Sequence, residues 1–347
     1  MTKRIRIAVV GFGLIGKRHA QILRDLPKHE LAAVVDPVAQ NRSDAALLGC
    51  PTFASLEQMF DAITPDGVIL ATPTPLHMEQ GLCCIAANCP VLIEKPITVT
   101  SDEARRLTDA AIRADVALLV GHHRRHNGMV QAAKSALKDG MIGDIRSVQA
   151  TCWFYKPDHY FAAAPWRTKS GAGPVSVNLV HDVDLLRHFC GEVASVYAVS
   201  RPSHRGFENE DVASAILTFH SGTVATISVS DSIVAPWSWE LTSRENAAYP
   251  ATGESCYLIG GSKGALSLPD LRIWQHGSEP DWWTPITATS LICPTNDPLV
   301  MQLEHFARVI RNEETPLVSG QEGARSLEVV EAVAISAQSG EVVKVRR

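Results

Sequence analysis

In the first third of the chain, short apolar runs alternate with longer amphipathic segments. The apolar runs are rich in β-branched residues and end at glycine, proline or an acid, which is typical of buried strands. Strands are expected at Arg4–Val10, Leu31–Val35, Gly67–Ala71, Val91–Ile93 and Val116–Val120. The segments between them predict helices at Ile15–Leu26, Leu76–Asn88 and Asp102–Ala114, the last one capped by Ser101. Strands that alternate with helices predict a doubly wound, mostly parallel sheet.

After about residue 122 the apolar positions recur with period two. This pattern predicts strands at Ile145–Tyr155, Val193–Arg201, Asp211–Phe219, Thr223–Ser230, Ser238–Ser243, Glu254–Ile259, Leu271–Gln275 and Val342–Val345. Helices are expected at Met129–Lys138, Val177–Arg187, Pro298–Arg311 and Gly320–Ala337. We therefore predict an α/β fold in which residues 1–122 form one domain. Residues 123–347 form a second, α+β domain with a large, mostly antiparallel open sheet, and the last helices can pack back on the first domain.

Composition narrows the function without naming it. The chain has 347 residues, 46% of them hydrophobic and 20% charged, with a formal net charge of -5. This charge gives no electrostatic reason to expect nucleic acid or a membrane surface as a partner. The apolar run at the start is shorter than the roughly 7–15 residues of a signal-peptide core. The eight cysteines include no metal-type pair, so reduced thiols and a cytoplasmic protein are expected.

A glycine-rich turn directly follows the first predicted strand and opens the first helix. Its residues are Gly11, Phe12, Gly13, Leu14, Ile15 and Gly16. Glycines at this spacing let the backbone approach a pyrophosphate at the helix N-terminus. Asp36 ends the next strand, where a carboxylate binds ribose hydroxyls and repels a 2′-phosphate. The pattern predicts a Rossmann-type site for NAD, with NADP less favoured, although Arg42 could reach a phosphate. A plain glycine turn beside a solvated Asp36 is the structural alternative.

Two more loops follow predicted parallel strands and should meet the same edge of the sheet. One contains Thr72, Pro73, Thr74 and, at the start of the next helix, His77; the other contains Glu94, Lys95 and Pro96. Ligands of open α/β sheets bind at the carboxyl edge. We therefore expect Thr72, Pro73, Thr74, His77, Glu94 and Lys95 to face the cofactor, with Lys95 as a cation beside the reacting groups. A well-capped strand-to-helix turn is the alternative for the first loop.

The predicted helix Val177–Arg187 carries polar side chains at helical spacing. Asn178, His181 and Asp184 recur on one face, and an imidazole is suited to accept a proton from an alcohol near neutral pH. Near the domain boundary, His123 and Arg124 belong to the segment His122–His126. Its two arginines disfavour a metal site, so no metal is predicted. A ligand-facing hinge and a solvated patch both remain open for this segment, as do ligand contact and packing for Trp166 and Arg167.

Taken together, these segments resemble the glucose–fructose oxidoreductase and inositol dehydrogenase family (Gfo/Idh/MocA) over nearly the whole chain. The matching segments are GFGLIG with Asp36, ATPTPLH, VLIEKP, GHHRRH, the Trp-Arg pair and HDVDLLR. The resemblance implies a Rossmann domain followed by an open-sheet domain, and assembly as homodimers or homotetramers. It implies NAD(P)-dependent oxidation of a sugar, cyclitol or related small polyhydroxylated substrate. The resemblance maps the motif lysine to Lys95 and the motif histidine to His181, which are expected to be catalytic, and it implies that Asp184 touches substrate. From their positions in the sequence, further substrate-binding residues are expected at Asn178, His123, Arg124, Trp166 and Arg167.

The sequence departs from the family pattern at one position. Many dehydrogenases of the family carry an Asp four residues before the motif histidine, and this chain has Val177 there. Two alternatives therefore stay open beside the dehydrogenase. Some relatives use NAD transiently to cleave glycosidic bonds, and a non-catalytic regulator could keep the nucleotide fold. Retention of both Lys95 and His181 argues against the regulator.

Overall fold

The computed structural model describes residues 4–346, so Met1–Lys3 and Arg347, at the ends of the two predicted domains, lie outside the described residues. In chain order the elements are β1 (Ile5–Val10), α1 (Leu14–Asp25), β2 (His29–Val35), α2 (Ala39–Ala46), β3 (Thr52–Phe53), α3 (Leu56–Ala62), β4 (Gly67–Leu70), α4 (His77–Ala86), β5 (Val91–Ile93), α5 (Ser101–Ala114), β6 (Leu118–Val120), α6 (Gly128–Lys138), β7 (Ile145–Trp153), α7 (Asp158–Ala162), α8 (Pro174–Val177), α9 (Leu179–Cys190), β8 (Val193–Pro202), β9 (Glu210–Phe219), β10 (Val224–Ser230), α10 (Trp239–Thr242), β11 (Tyr257–Gly261), β12 (Ala265–Leu268), β13 (Arg272–His276), β14 (Ile286–Ser290), α11 (Pro298–Ile310), α12 (Gly320–Ser339) and β15 (Val343–Lys344). Short 3₁₀ turns occur at Thr74–Leu76, His123–His126 and Pro165–Thr168.

The chain forms two compact units, each with its own sheet. Of the described residues, unit 1 contains 4–123 and 298–327, and unit 2 contains 124–297 and 328–346. The segment 298–327 thus returns to the first unit late in the chain.

Unit 1 is built on a six-stranded parallel sheet with the strand order β3-β2-β1-β4-β5-β6. Its strands are apolar on both faces, and each face has its own buried cluster. Helix α11 covers one of these faces with Leu303 and Phe306, both fully buried. Sequential β-α-β connections bring the carboxyl ends of the strands to one edge. The doubly wound parallel sheet predicted from the sequence is confirmed.

Unit 2 contains a nine-stranded sheet with the order β14-β13-β12-β11-β7-β10-β9-β8-β15. The β7–β10 pair is parallel, whereas the other neighbouring pairs are antiparallel. One face packs on a core that includes side chains of α6, α9 and the second part of α12, while the opposite face carries partly exposed residues. This confirms the predicted mostly antiparallel open sheet.

Two local predictions for unit 2 are wrong, and two of its strands were not predicted. Residues 239–242 form helix α10 rather than a strand, because Ser238 caps the turn by accepting the N–H of Leu241. Strands β12 and β14 were not predicted. The single helix expected over Val177–Arg187 is divided into α8 and α9 at Asn178, whose backbone angles depart from ideal helical values.

Candidate functional site

The glycine-rich turn of unit 1 forms an open helix N-terminus. Helix α1 begins at Leu14, and its N-cap Gly13 has no side chain to satisfy the first N–H groups. A Cβ on Gly16 would lie 1.9 Å from the carbonyl oxygen of Gly11, and one on Gly11 would lie 2.6 Å from that of Ala71. Only glycine fits at these two positions, whereas the space around Gly13 is open. This arrangement suits a pyrophosphate.

Asp36 ties the glycine-rich turn to the end of β2. Its carboxylate accepts the N–H of Phe12 and the N–H of Val38, each at 2.8 Å, and the residue is buried. A carboxylate oxygen has two lone pairs, so both oxygens keep capacity for ribose hydroxyls. Arg42 donates to the carbonyl oxygens of Asp36 and Pro37, each at 2.8 Å, and so lies beside the same loop.

A cleft of about 630 Å³ opens at this edge of the sheet in unit 1. Gly11, Gly13, Asp36, Thr72 and Pro73, all predicted cofactor residues, line it. Glu57 and Glu79 also line the cleft, and its lining includes neither lysine nor arginine. Leu14 is almost fully exposed, Ile15 is partly buried and Phe12 is buried under the side chain of Lys17. Size, glycine turn and carboxylates fit a dinucleotide.

His77 joins the second loop of unit 1 to the Glu-Lys-Pro segment. One ring nitrogen lies 2.8 Å from the carbonyl oxygen of Thr72, and the other lies 3.0 Å from that of Pro96. Burial lowers the pKa of His77, although these two carbonyls oppose the shift. Thr74 begins the 3₁₀ turn, and Thr72 donates its hydroxyl to Gln80. His77 therefore positions two loops, and its contact with a cofactor stays a prediction.

Glu94 is a buried carboxylate at the end of β5. Its Oε1 lies 2.8 Å from Nε2 of His19 on α1, and its Oε2 accepts the N–H of Lys95 at 3.2 Å. Burial alone would raise the pKa of Glu94, but the hydrogen bond from His19 and the charges of His19, His123 and Lys95 lower it overall. Glu94 thus stays ionised, and it connects the first helix to the segment that carries Lys95.

In unit 2, Arg124 lies at the centre of a buried charge network. It donates to Asp182 at 3.1 Å and to Glu240 at 2.8 Å, and its guanidinium lies 5.6 Å from the ring centre of Trp239. Tyr257 also donates its hydroxyl to Asp182. Burial raises the pKa of Asp182 to about 6, with Arg124 opposing the shift. The network gives Arg124 a packing role within unit 2, and its substrate contact stays a prediction.

Asp184 forms an ion pair with Arg125, the residue that follows Arg124 in the chain. Arg125 donates Nε and Nη2 to the two carboxylate oxygens of Asp184 at 2.8 and 2.7 Å, and both residues are buried. A bidentate pair of this kind fixes both side chains. The geometry therefore assigns Asp184 a structural partner that sequence reasoning did not anticipate, and its predicted substrate contact remains untested.

Asn178 precedes α9 and pairs with a lysine that the sequence did not single out. Nζ of Lys156 donates to Oδ1 of Asn178 at 2.7 Å, and His181 lies three residues further on, on the first turn of α9. His181 is buried at 8% exposure. Trp166 is exposed, whereas Arg167 packs its guanidinium 3.9 Å from the ring centre of Tyr160. The predicted residues Asn178 and Arg167 therefore lie near Lys156, and Trp166 faces outward.

Two site residues could have been found from the sequence. Lys156-Pro157 follows strand β7 as Lys95-Pro96 follows β5, so a strand-ending Lys-Pro occurs twice. His19 stands three residues after Gly16, on the helix that the glycine turn opens.

Among residues 4–346, no helix has the length and apolarity to cross a membrane. The same residues contain no group of three or more His, Cys, Asp or Glu side chains placed to hold a metal ion.

Comparisons with known proteins agree with this geometry. The chain is 30% identical to the rhizopine catabolism protein MocA of Rhizobium meliloti. The aligned region covers 57% of this chain and 61% of that protein. It is 25% identical to a D-apiose dehydrogenase of Paraburkholderia graminis over 99% of this chain and 90% of that protein. The solved WlbA dehydrogenase from Bordetella pertussis, in complex with NADH and UDP-GlcNAcA, superposes with a TM-score of 0.81 at 26% identity. That match covers 99% of this chain and all of the other.

Two models of a single family match consecutive parts of the chain. Residues 5–122 match the oxidoreductase family with an NAD-binding Rossmann fold, and residues 130–267 match the GFO/IDH/MocA C-terminal domain. The predicted resemblance is thereby confirmed. The chain belongs to the GFO/IDH/MocA family and is an NAD(P)-dependent oxidoreductase.

Proposed function

We propose that the chain is an NAD-dependent dehydrogenase or reductase that transfers hydride between nicotinamide and a secondary alcohol of a sugar, sugar acid or cyclitol. The observation that carries the proposal is the cleft of unit 1, where an uncapped helix N-terminus meets Asp36. The named activities of the relatives support the substrate class.

NAD is the proposed cofactor because the cleft is acidic. Asp36, Glu57 and Glu79 line it, and no lysine or arginine among the lining residues could neutralise a 2′-phosphate. The hydrogen bond from Ser55 lowers the pKa of Glu57, so this carboxylate is ionised at neutral pH. Like charges repel, so the carboxylate of Asp36 would oppose a 2′-phosphate of NADP, whereas Arg42, beside the same loop, would favour it.

The catalytic roles follow from the chemistry of an alcohol oxidation. A bound nicotinamide ring supplies the hydride acceptor, or the donor in the reverse direction. His181 is proposed to accept the hydroxyl proton. Lys95, whose segment Glu94 fixes, is proposed to stabilise the negative charge that develops on the oxygen.

Assembly as a homodimer or homotetramer is part of the same proposal, and light scattering on the purified protein measures it.

The substrate and the role of Lys95 are tested together. Wild-type protein is mixed with a panel of sugars, sugar acids, lactones and cyclitols, with NAD⁺ and then NADP⁺, and reduced cofactor is read by absorbance. With the best substrate, Lys95→Ala should reduce kcat about 10²–10³-fold while NADH still binds, because the substitution removes one preorganised charge. Lys28→Ala, which removes an exposed lysine of the same unit, is the matched control.

Two outcomes would contradict this assignment. Near-normal turnover of Lys95→Ala would remove Lys95 from the catalytic residues. Release of an aglycone from glycosides without net reduced cofactor would point to a glycosidase.

A further inference from the structure

Two cations of unit 2 share one aromatic ring. Nζ of Lys156 lies 5.3 Å from the ring centre of Tyr160, and the guanidinium carbon of Arg167 lies 3.9 Å from it. Lys156 is only 6% exposed. Two like charges around one ring repel each other, and burying them costs further free energy unless they are paired.

Carboxylates of the described residues do not satisfy these two cations. The carboxylate paired with Lys156 is that of Asp231, at 3.9 Å, which exceeds hydrogen-bond distance, and Asp231 accepts Nη1 of Arg205 at 3.0 Å. Arg167 donates Nη1 to the carbonyl oxygen of Tyr160, while its Nε is buried without a hydrogen-bond partner among residues 4–346. Neither cation therefore has a carboxylate in hydrogen-bond contact.

Lys156 and Asn178 carry hydrogen-bond donors that are not used within the described part of the protein. An ammonium group has three N–H donors, and Lys156 uses one of them, on Oδ1 of Asn178 at 2.7 Å. Because Oδ1 of Asn178 accepts from Lys156, its amide nitrogen presents two further donors, for which the described residues provide no acceptor. The backbone of Lys156 is held in place, since its N–H donates to the carbonyl oxygen of Asp231 and its carbonyl accepts Nη2 of Arg205. These donors are therefore preorganised for a ligand with oxygen acceptors.

We propose that Lys156, Asn178 and Arg167 bind an anionic group of the substrate, a carboxylate. This rests on the proposed dehydrogenase function and narrows its substrate to a sugar acid. A ligand group with one negative charge fits this cluster of donors better than a group with two. Asp231 already neutralises part of the cluster, and the nearby acids Asp211 and Glu210 accept the N–H groups of His204 and Val175.

The position of the site on the chain fits this role. Asn178 precedes α9, and His181 lies three residues later on that helix. A carboxylate held at Asn178 would place the rest of a sugar acid close to the imidazole. Val177, directly before Asn178, adds no negative charge that would repel such a substrate.

The test compares matched anionic and neutral ligands. D-gluconate is paired with D-glucitol, and D-galacturonate with D-galactose; inorganic phosphate is a third anion. Binding to the protein saturated with NADH is measured by calorimetry, and turnover is measured with NAD⁺. Wild-type protein should bind at least one sugar acid about 10- to 100-fold more tightly than its neutral counterpart, since hydrogen bonds to charged groups have this magnitude.

Lys156→Met keeps the length of the side chain and should abolish this preference, whereas Lys156→Arg should retain part of it. Lys169→Met removes an exposed lysine of the same unit, paired with Glu208, and should leave the preference unchanged. Thermal unfolding establishes that each variant is folded. If phosphate competes as well as the sugar acids do, the site takes oxyanions in general and the carboxylate assignment is wrong.

Equal binding of acids and neutral sugars by wild-type protein, or an unchanged preference in folded Lys156→Met, would overturn the inference. Neither result would contradict the proposed dehydrogenase function. Turnover of neutral polyols that depends on Lys95 but not on Lys156 would leave the dehydrogenase in place and remove only the anion site.

Discussion

At the scale of single residues, buried carboxylates constrain the backbone around them. A Cβ on Gly121 would lie 2.9 Å from the carboxyl carbon of Glu94, so this glycine makes room for the side chain that holds the Lys95 segment. Asp36 likewise holds the turn at Phe12. Each acid positions a loop and also sets the local charge, so the effect of its removal on geometry must be separated from the effect on electrostatics.

Asp36→Ser makes this separation for the cofactor. The substitution removes a carboxylate that accepts ribose hydroxyls and repels a 2′-phosphate, so affinity for NADH should fall about tenfold or more while affinity for NADPH stays constant or rises. Fluorescence titration with NADH and NADPH measures both dissociation constants. Asp25→Ser, which removes an exposed acid of α1, is the control. An equal loss for both cofactors would show that Asp36 acts only through the turn.

At the scale of elements, helix α5 shows how a local signal can be displaced by one residue. The sequence predicts Ser101 as its N-cap, whereas the helix begins at Ser101 and Thr100 is the cap. Thr100 accepts the N–H of Glu103, and Glu103 in turn accepts the N–H of Thr100. This reciprocal pair is a capping box, and the spacing of Thr100 and Glu103 could have identified it.

Thr100→Ala should lower the free energy of unfolding by about 1 kcal/mol, the usual cost of losing an N-cap. Urea denaturation followed by circular dichroism measures the change, because helix α5 contributes to that signal. Ser43→Ala removes an exposed hydroxyl within α2 and no cap, so it should change the stability little. A loss no larger than that of Ser43→Ala would argue that the box is not formed in solution.

The strands that the sequence predicted in unit 1 are all present, but β3, α2 and α3 were not predicted. Strands buried on both faces are continuous apolar runs, and glycine, proline or an acid ends each run. In unit 2 the errors arise at local features that the hydrophobic pattern does not show. Ser238 and Asn178 change the local structure through a cap and a helix break, and neither event alters the hydrophobic period.

At the scale of the whole molecule, the sequence predicted the two sheets and the glycine-rich turn between β1 and α1, but not the partners of the charged groups. Glycine spacing and strand ends are local, so Gly11–Gly16 and Asp36 could be read directly. The pairs Arg125–Asp184 and Arg124–Asp182 join residues 59 and 58 positions apart. Spacing along the chain does not show such pairs, so the arginine partner of Asp184 was not predicted.

The network around Arg124 makes the stability of the molecule depend on pH in an unusual direction. A single guanidinium is shared by Asp182 and Glu240, and burial raises the pKa of Asp182 from 3.8 to about 6. The neutral carboxyl is therefore favoured in the folded state. Its contribution to the free energy of unfolding is complete below about pH 4 and decreases as the pH rises through 6.

Asp182→Asn keeps the acceptor oxygen for Arg124 and Tyr257 but cannot ionise. Between pH 4 and pH 7 the variant should gain stability relative to the unaltered protein, by up to about 3 kcal/mol at 1.36 kcal/mol per pKa unit. Denaturant unfolding at a series of pH values measures the difference, and taking the difference cancels acids such as Glu94, whose lowered pKa gives the opposite slope. Asp144→Asn, which removes an exposed carboxylate of the same unit, controls for the loss of one charge. Parallel curves for Asp182→Asn and the unaltered protein would mean that Asp182 remains ionised throughout, with Arg124 outweighing the cost of burial.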